Sequence, residues 1–199
     1  MPEVFLASRN AKKVGELKRI LADVAPGITV LGLDDVAPYP EPLEDQATFE
    51  GNALLKARAG FAATGLVSLA DDSGLCVDAL NGMPGVLSAR WSGKPKSDER
   101  NNLLLLDQLE DVPDDRRSAH FVSVVAVCHT GGEFVVTAEM HGHIIRELRG
   151  TDGFGYDVLF VPDDTADDRT SAELSKAEKD AISHRGKALR EVAERLSEV

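Results

Sequence analysis

The sequence predicts an α/β fold in which helices flank a mixed β-sheet, and two patterns carry that prediction. Over the first third of the chain, short apolar runs alternate with segments whose apolar residues recur at helical spacing, which is typical of strands joined by helices. In the middle, β-rich runs at 118–130 and 133–146 flank Gly131-Gly132, which predicts a hairpin within the same sheet. We expect a single domain over residues 1–199, built as two lobes.

The first predicted elements can be justified one by one. They are a strand at 3–7, a helix from 10 to about 24, a strand at 28–33, a helix at 48–63 and a buried strand at 66–70 that ends at two aspartates. The first helix is indicated by Val14, Leu17 and Leu21, which share one face at helical spacing. The Pro-rich, acidic segment VAPYPEPLEDQ before the second helix is typical of an exposed loop.

The next elements lead to the middle of the chain. A short helical piece is expected after GMPG at 82–85. Ser97 then predicts a helix, because serine is a favoured N-cap and acids follow it in the first turn. We expect Leu103, Leu106 and Leu109 of this helix to face the core.

The last elements follow the predicted hairpin. The Gly-rich stretch GTDGFGYD precedes a final strand, VLFVP, and the chain finishes in helix. Ser175 and Glu178 fit a capping box at the start of that helical region. On one straight helix Lys179, His184 and Arg185 would point in three directions, so a break near Ser183 is required if they face one ligand.

Composition and charge exclude several classes of function. Acidic residues outnumber basic ones by 34 to 22, a net charge of −12, which argues against nucleic acid as a partner because phosphate backbones need a basic surface. A local basic cluster or a bound cation can still hold a small polyphosphate.

No apolar run approaches the ~20 residues that cross a bilayer, and the start MPEVFLASRN is unlike a signal peptide, so we expect a cytoplasmic protein without membrane contact. Cys76 and Cys128 match no metal spacing and are expected to be reduced core thiols.

The stretch SLADDSG at 68–74 places two adjacent carboxylates inside an apolar run. A buried charge is unfavourable unless it is paired or bound to a metal. Neighbouring side chains on extended backbone point to opposite faces, so we expect only one of Asp71 and Asp72 to face a given cleft. Magnesium typically takes one or two carboxylates plus substrate phosphate. The alternative is a plain turn made by Asp-Asp-Ser-Gly.

Two further stretches are candidates for ligand binding. SRNAKK at 8–13 lies at a strand-to-helix junction, where helix N–H groups and a lysine can bind an anion; alternatively Ser8 or Asn10 simply caps the helix. In GTDGFGYD, glycines can let the backbone approach a ligand while Phe154 or Tyr156 stacks on a base, or they can serve only a tight turn. Neither GxxxxGK[ST] nor GxGxxG is present, so neither standard nucleotide motif applies.

Five segments, in this order, resemble the inosine triphosphate pyrophosphatases, also called XTP/dITP diphosphatases. They are SRNAKK with Glu16 and Leu17 after it, TFEGNALLKA, LADDSGLCVDALNGMPGVLSARWSG, GTDGFGYDVLF and SAELSKAEKDAISHRGKAL. The resemblance covers essentially the whole chain. It implies a Mg²⁺-dependent hydrolase that cleaves the α-β phosphoanhydride of ITP, dITP and XTP, releasing the monophosphate and pyrophosphate and keeping these purine nucleotides out of DNA and RNA. It also implies a homodimer and an active-site cleft between two lobes.

The resemblance also implies roles for individual residues. Asp72 matches the catalytic aspartate, which is also a metal ligand, and the second metal ligand is Glu44, which aligns better with Thr48-Phe49 than the alternative Glu41. The implied substrate contacts are Ser8, Arg9, Asn10, Ala11, Lys12, Lys13, Ser73, Phe154, Gly155, Tyr156, Asp157, Lys179, His184 and Arg185. The chain departs from the family where Arg9 and Lys12 replace small residues and where Gly51 replaces Asp, Glu or Asn.

These assignments lead to a mechanistic hypothesis. Asp72 with Glu44 binds Mg²⁺ and orients a water for attack on the α-phosphorus, while Lys13, Lys179 and Arg185 neutralise the triphosphate. Selectivity for 6-oxopurines requires a buried donor aimed at O6, for which His184, Arg185 and backbone N–H groups near Phe154 are candidates. The alternatives are a pyrophosphatase acting on pyrimidine or modified nucleotides, a phosphohydrolase acting at the γ-phosphate, and a nucleotide sensor without turnover.

Overall fold

A computed structural model describes residues 3–196 of the chain. Its strands are β1 (Glu3–Leu6), β2 (Thr29–Leu31), β3 (Val67–Val77), β4 (Ser118–His129), β5 (Gly132–Ile144) and β6 (Phe160–Pro162). Its helices are α1 (Ala11–Val24), α2 (Phe49–Thr64), α3 (Asp98–Gln108), α4 (Lys176–Ile182) and α5 (His184–Leu196). Within that described range, none of the helices combines the length and the apolar character that crossing a membrane requires.

The six strands form one mixed sheet in the order β2-β1-β3-β4-β5-β6. Strand β1 is parallel to β2, with Val4 opposite Val30, and parallel to β3, with Val4 opposite Val67. Strands β5 and β6 are antiparallel, with His143 opposite Val161. The two residues between β4 and β5 are too few for a crossover, so these neighbours are antiparallel as well. The predicted mixed α/β fold is confirmed.

Strand β3 is longer than the sequence analysis predicts. It does not end at the aspartates but continues through Asp71 and Asp72 to Val77, so the prediction of a strand at 66–70 is wrong at its end and the plain turn is excluded. Leu75 and Val77 beyond the aspartates are fully buried. Because both carboxylates have polar partners, continuing the strand is less unfavourable than exposing these apolar side chains.

Helix α3 begins where predicted, but one of its core residues was assigned wrongly. The Ser97 hydroxyl accepts a hydrogen bond from the Arg100 N–H at 3.2 Å, as expected of an N-cap. Leu105 and Leu109 are fully buried, whereas Leu103 is 48% exposed. Four consecutive leucines at 103–106 leave the buried face undetermined in the sequence, and the i, i+4 pair 105/109 is the one that packs inward.

The chain divides into two compact units, each with its own core. The first unit comprises residues up to Asp72, Ser123–Ala138 and the chain from Arg185 onward, and the second comprises Ser73–Val122 and Glu139–His184. The first core is formed by Val4, Leu6, Leu17, Ile20, Leu21, Leu69, Val125, Val127, Val136, Ala188, Leu189 and Val192. The second core is formed by Leu75, Val77, Leu105, Leu109, Ala119, Phe121, Met140, Ile144, Tyr156, Leu159 and Phe160.

The C-terminal helical region breaks at Ser183, the position predicted for a break if Lys179, His184 and Arg185 face one ligand. Ser175 and Glu178 form the predicted capping box at the start of α4. Ser183 ends α4 in an extended conformation (φ −65°, ψ 152°), and α5 begins at the next residue. The break separates Lys179 on α4 from His184 and Arg185 on α5.

Candidate active site

In the first unit, the junction between β1 and α1 is closed by a side-chain cap. The Asn10 Oδ1 accepts hydrogen bonds from the backbone N–H groups of Lys12 at 3.1 Å and Lys13 at 3.2 Å. The capping interpretation of Asn10 is therefore confirmed, and these two N–H groups are engaged by the cap. An anion site at this junction has to rest on the Lys13 ammonium, which is largely buried and lies 2.9 Å from Asp71 Oδ2.

Asp71 is buried among partners of opposite charge. Only 2% of it is exposed, and it lies against the Lys13 ammonium, the Arg185 guanidinium at 3.5 Å and the Ser123 hydroxyl, which donates to it at 2.7 Å. Burial alone would raise the pKa of Asp71, but the charges of Lys13 and Arg185 together with the Ser123 hydrogen bond outweigh it and hold that pKa below its usual range. Asp71 is therefore ionised in the folded protein.

Arg185 joins Asp71 to a second buried acid. Its guanidinium donates to Glu16 Oε2 at 2.8 Å, and both side chains are almost fully buried. Glu16 lies on α1 three residues after Lys13, so the two side chains share one helix face. Lys13, Asp71, Arg185 and Glu16 thus form a buried cluster of opposite charges in the first unit.

Asp72 points to different partners from Asp71, as the alternation of side chains along a strand requires. Its Oδ2 accepts a hydrogen bond from Asn52 at 3.2 Å, and its Oδ1 lies 3.3 Å from the Lys56 ammonium. Lys56 also donates to Glu44 Oε1 at 3.0 Å, so one ammonium joins the two carboxylates proposed as metal ligands. Burial raises the pKa of Asp72, although the positive charge of Lys56 opposes that shift.

The second acid of the loop, Glu41, lies in a different contact. Its Oε2 accepts a hydrogen bond from the Arg9 guanidinium at 2.6 Å, and the Arg9 side chain is 61% exposed. Glu41 therefore neutralises a surface arginine, whereas Glu44 lies in the group of residues around Asp72. The position of Glu44 near Asp72 is the one expected if Glu44, and not Glu41, is the second carboxylate ligand of a Mg²⁺ ion.

In the second unit, Asp157 organises the GTDGFGYD loop. Its Oδ2 accepts hydrogen bonds from the Phe154 backbone N–H at 2.8 Å and from the Lys179 ammonium at 2.6 Å. The Lys179 ammonium also lies 5.4 Å from the centroid of the Phe154 ring. Gly153 has a positive φ of 76°, and a Cβ there would overlap with the Asp157 carboxylate. The glycine is thus required for the carboxylate to reach the loop.

The two aromatic rings of this loop differ in what they can contact. Tyr156 is buried in the second core, and its hydroxyl donates to the Ser88 carbonyl at 2.9 Å. Phe154 is only partly buried, so it offers the ring surface that a base could stack on. The Phe154 and Gly155 backbone N–H groups, predicted as donors to O6, are already engaged by Asp157 and by Asp98.

His184 is the remaining predicted base contact in the second unit. It is buried, and its ring stacks on Phe121 with the centroids 5.0 Å apart and the planes 8° from parallel. Its neighbour Arg185 belongs to the first unit. Of the three candidate phosphate contacts, Lys13 and Arg185 therefore lie together in the first unit, whereas Lys179 belongs to the second unit. The candidate base contacts Phe154 and His184 also belong to the second unit.

The other predicted contacts are more exposed. Ser8 and Ser73 are half-buried, while the side chains at the start of α1 lie at the surface, namely those of Arg9, Asn10, Ala11 and Lys12.

Comparison with known proteins places this arrangement in a family. The model of the Ham1 family matches residues 4–195. The chain belongs to the Ham1 family. It is 61% identical over 191 residues to the dITP/XTP pyrophosphatase of Mycolicibacterium paratuberculosis, covering 96% of this chain and 93% of that one. It is 60% identical over 199 residues to the dITP/XTP pyrophosphatase of Nocardia farcinica, and the match covers 99% of this chain and 96% of that one.

Solved structures of Ham1 proteins share the fold of this chain. A nucleoside-triphosphatase, dITP/XTP pyrophosphatase, from Mycobacterium abscessus is 52% identical, with a TM-score of 0.76 over 96% of this chain and 98% of that one. A HAM1 protein from Coxiella burnetii is 40% identical, with a TM-score of 0.87 over the full length of both chains. The resemblance predicted from the five segments is confirmed.

Two buried residues of this Ham1 protein, Asn52 and Lys56, were not among the residues predicted for the site. Both lie on α2, four residues apart, on the face that also buries Ala53 and Ala57. The spacing could have identified this pair, because residues at i and i+4 share one face of a helix and the rest of this face of α2 carries small residues. They are the residues that hold the Asp72 carboxylate.

Gly51, a departure from the family pattern, allows the loop before α2 to pack closely. A Cβ at this position would lie 2.8 Å from the Gln46 Cβ. The Gln46 N–H in turn donates to Asn52 Oδ1 at 3.1 Å. The glycine therefore lets the acidic loop contact the first turn of α2, next to the residues around Asp72.

The donor atoms near Asp72 suit one particular kind of metal site. Across residues 3–196, no cluster of three or more His, Cys, Asp or Glu is arranged to hold a metal ion. Asp72 and Glu44 supply carboxylate oxygens that approach the same ammonium. Mg²⁺ prefers such oxygens and is commonly held by one or two carboxylates together with substrate phosphates. The residues present therefore fit Mg²⁺ bound jointly with a nucleotide.

Proposed function

We propose that this protein hydrolyses ITP, dITP and XTP to the nucleoside monophosphate and pyrophosphate, and so removes these non-standard purine nucleotides from the nucleotide pool. The observation that carries the proposal is the environment of Asp72, a buried carboxylate held by Asn52 and Lys56. Its neighbour on the same strand, Asp71, holds Lys13 of α1 and Arg185 of α5. The names of the relatives, dITP/XTP pyrophosphatases, support the same substrates.

The cationic side chains of the first unit bind the triphosphate. Lys13 and Arg185 are held in place by Asp71, and Lys56 is held by Asp72 and Glu44. Positioning and charge neutralisation provide most of the catalysis in phosphoryl transfer, because the transition state spreads negative charge over the phosphate oxygens. Fixed cations need no reorganisation as that charge develops.

Asp72 orients the attacking water toward the α-phosphorus and accepts its proton. The hydrogen bond from Asn52 and the contact with Lys56 restrict the orientation of its carboxylate. A general base held in this way contributes about 10²–10⁴ to the rate. The bond between the α-phosphorus and the bridging oxygen breaks, and pyrophosphate leaves.

Asp72 and Glu44 are the residues that would hold Mg²⁺. When bound, the ion supplies positive charge to the phosphate oxygens. Lys56 lies between the two carboxylates, so it limits their mutual repulsion before the nucleotide binds.

The two acids of the loop provide a matched test of this metal site. Glu44→Gln should raise the Mg²⁺ concentration for half-maximal rate by at least about 10-fold, because a direct carboxylate ligand is lost and even the loss of a group that only orients a ligand weakens metal binding by about 10–100-fold. Glu41→Gln should leave it unchanged, since the Glu41 carboxylate is paired with the exposed Arg9 guanidinium. The measurement is the initial rate of pyrophosphate release as Mg²⁺ is varied. A larger effect of Glu41→Gln would reverse the assignment.

Base recognition is assigned to the second unit. Phe154 provides the stacking surface, and His184 is the candidate donor to O6. The other candidate donors to O6 already have partners, which supports His184. The Phe154 and Gly155 N–H groups donate to Asp157 and Asp98, and Arg185 is paired with Glu16 and Asp71.

Product analysis tests the proposed function. The protein is incubated with ITP, XTP, dITP, ATP or GTP, with and without Mg²⁺, and monophosphate plus pyrophosphate are resolved from diphosphate plus phosphate. Metal-dependent IMP and pyrophosphate, with little turnover of ATP or GTP, is the expected result. Pyrophosphate from all five would retain the mechanism but not the selectivity. Phosphate alone would exclude attack at the α-phosphorus, and no turnover would favour the sensor.

The homodimer implied by the resemblance is also part of this proposal. Light scattering on the purified protein should give twice the mass of one chain. The cytoplasmic location stays a prediction from the sequence.

A further inference from the structure

The loop that carries Phe154 has a backbone that needs external support. Gly153 and Gly155 both have positive φ, 76° and 63°. Glycine has the largest backbone freedom of any residue, so a segment with glycines on both sides of Phe154 loses much entropy when it is fixed. Asp157 holds the Phe154 N–H from within the loop. The remaining support comes from outside it.

Helix α3 holds both backbone polar groups of Gly155. The Gly155 N–H donates to Asp98 Oδ2 at 3.0 Å, and the Gly155 carbonyl accepts a hydrogen bond from Asn102 Nδ2 at 2.9 Å. Asp98 and Asn102 are four residues apart, so they share one face of the helix. The peptide groups on either side of Gly155 are therefore oriented by α3.

Asn102 is an unfavourable residue for helix stability at this position. It is only 3% exposed, and its Oδ1 is buried without a hydrogen-bond partner among the residues that the structure describes. A buried, unsatisfied acceptor is destabilising, and an apolar side chain of similar size avoids that penalty. Packing of α3 thus does not account for an asparagine here, whereas the hydrogen bond to Gly155 does.

We propose that Asn102, together with Asp98, is a positioning residue for base selection. By orienting Gly155, it sets the position of the adjacent Phe154 ring, on which the purine stacks. Neither residue touches the reacting atoms. This inference rests on the proposed function, because it concerns the discrimination of 6-oxopurine nucleotides from ATP.

Asn102→Leu is the main test. The KM for dITP and XTP should rise about tenfold while kcat changes by less than about twofold, because binding of the base is weakened and the chemistry at the α-phosphorus is untouched. The ratio of kcat/KM for ITP over ATP should fall. The melting temperature should stay the same or rise, since an unsatisfied buried oxygen is removed and the half-buried Gly155 carbonyl can bond to water. A purely structural role predicts the reverse: a lower melting temperature with KM unchanged.

Asp98 provides a second test at an exposed position, with a matched control. Asp98→Ala should raise KM in the same way, and Asp98→Asn, which keeps an acceptor for the Gly155 N–H, should restore it. Glu99→Ala removes the neighbouring acid from the same helix turn without affecting Gly155, so it controls for the helix-dipole contribution.

The outcomes separate this inference from the proposed function. A wild-type protein that is selective for ITP, with Asn102→Leu and Asp98→Ala equally selective, would overturn the inference alone. Equal effects of Asp98→Ala and Glu99→Ala would also overturn it. A wild-type protein that releases no pyrophosphate from any purine nucleotide would overturn the proposed function and this inference with it.

Discussion

Replacing Asp72 with asparagine should reduce turnover of dITP and XTP by a factor of about 10²–10⁴ while the protein stays folded. Asparagine has nearly the same volume, but it cannot accept the proton of the attacking water. Burial raises the pKa of Asp72, so its ionised form is disfavoured in the folded state relative to the unfolded chain. Neutralising the side chain should therefore leave the melting temperature unchanged or raise it.

The measurement for Asp72→Asn pairs steady-state pyrophosphate release with thermal unfolding. Loss of activity without loss of stability is the expected combination. Catalytic residues are often held in unfavourable surroundings, so replacing one of them commonly makes the whole protein more stable. A variant that retained most of its activity would mean that Asp72 is not the base. A variant that lost its fold would leave Asp72 as a structural residue.

Asp71→Asn, unlike Asp72→Asn, should destabilise the fold, with a decrease of about 3–5 kcal/mol in the free energy of unfolding. Asp71 is buried between the Lys13 ammonium at 2.9 Å and the Arg185 guanidinium at 3.5 Å. Removing its charge leaves two buried cations with Glu16 as the acid that contacts Arg185. Uncompensated buried charge is among the few causes of so large an effect from a single substitution.

Urea unfolding of the wild type, Asp71→Asn and Ser123→Ala measures this effect. Ser123→Ala removes one hydrogen bond to the same carboxylate but keeps all four charges of the cluster, so it should be the milder change, about 1.5–3 kcal/mol. Activity of Asp71→Asn should fall as well, because Lys13 and Arg185 lose the acid that positions them. Asp71→Asn as stable as the wild type would contradict the ion-pair interpretation.

Much of the fold could be predicted because its signals are local. The apolar spacing of Val14, Leu17 and Leu21 gives helix α1 its buried face, and Ser97 and Ser175 cap helices as expected. The glycines at 131–132 lie at the turn from β4 to β5, with the second of them beginning β5. Each of these depends on residues only a few positions apart. Where the local signal was ambiguous, as in the run of leucines at 103–106, the prediction failed for Leu103.

The candidate site was predictable in part. Alternation along a strand required Asp71 and Asp72 to have different partners, and the structure gives them different partners. Which of the two meets Lys13 was not readable from the pattern. The preference for Glu44 over Glu41 came from the family resemblance and not from local pattern, because both acids lie in one loop. The contact between Glu44 and Lys56 depends on the packing of that loop on α2.

The sequence by itself determined the α/β class, the positions of most helices and strands, and the Ham1 family, since periodicity, caps and motifs are properties of neighbouring residues. The tertiary structure alone decided which buried polar and charged groups meet. Arg185 and Glu16 are 169 positions apart, and Ser123 and Asp71 are 52 apart. A buried charge requires a partner, but the chain can supply that partner from any distance in the sequence, and folding selects it.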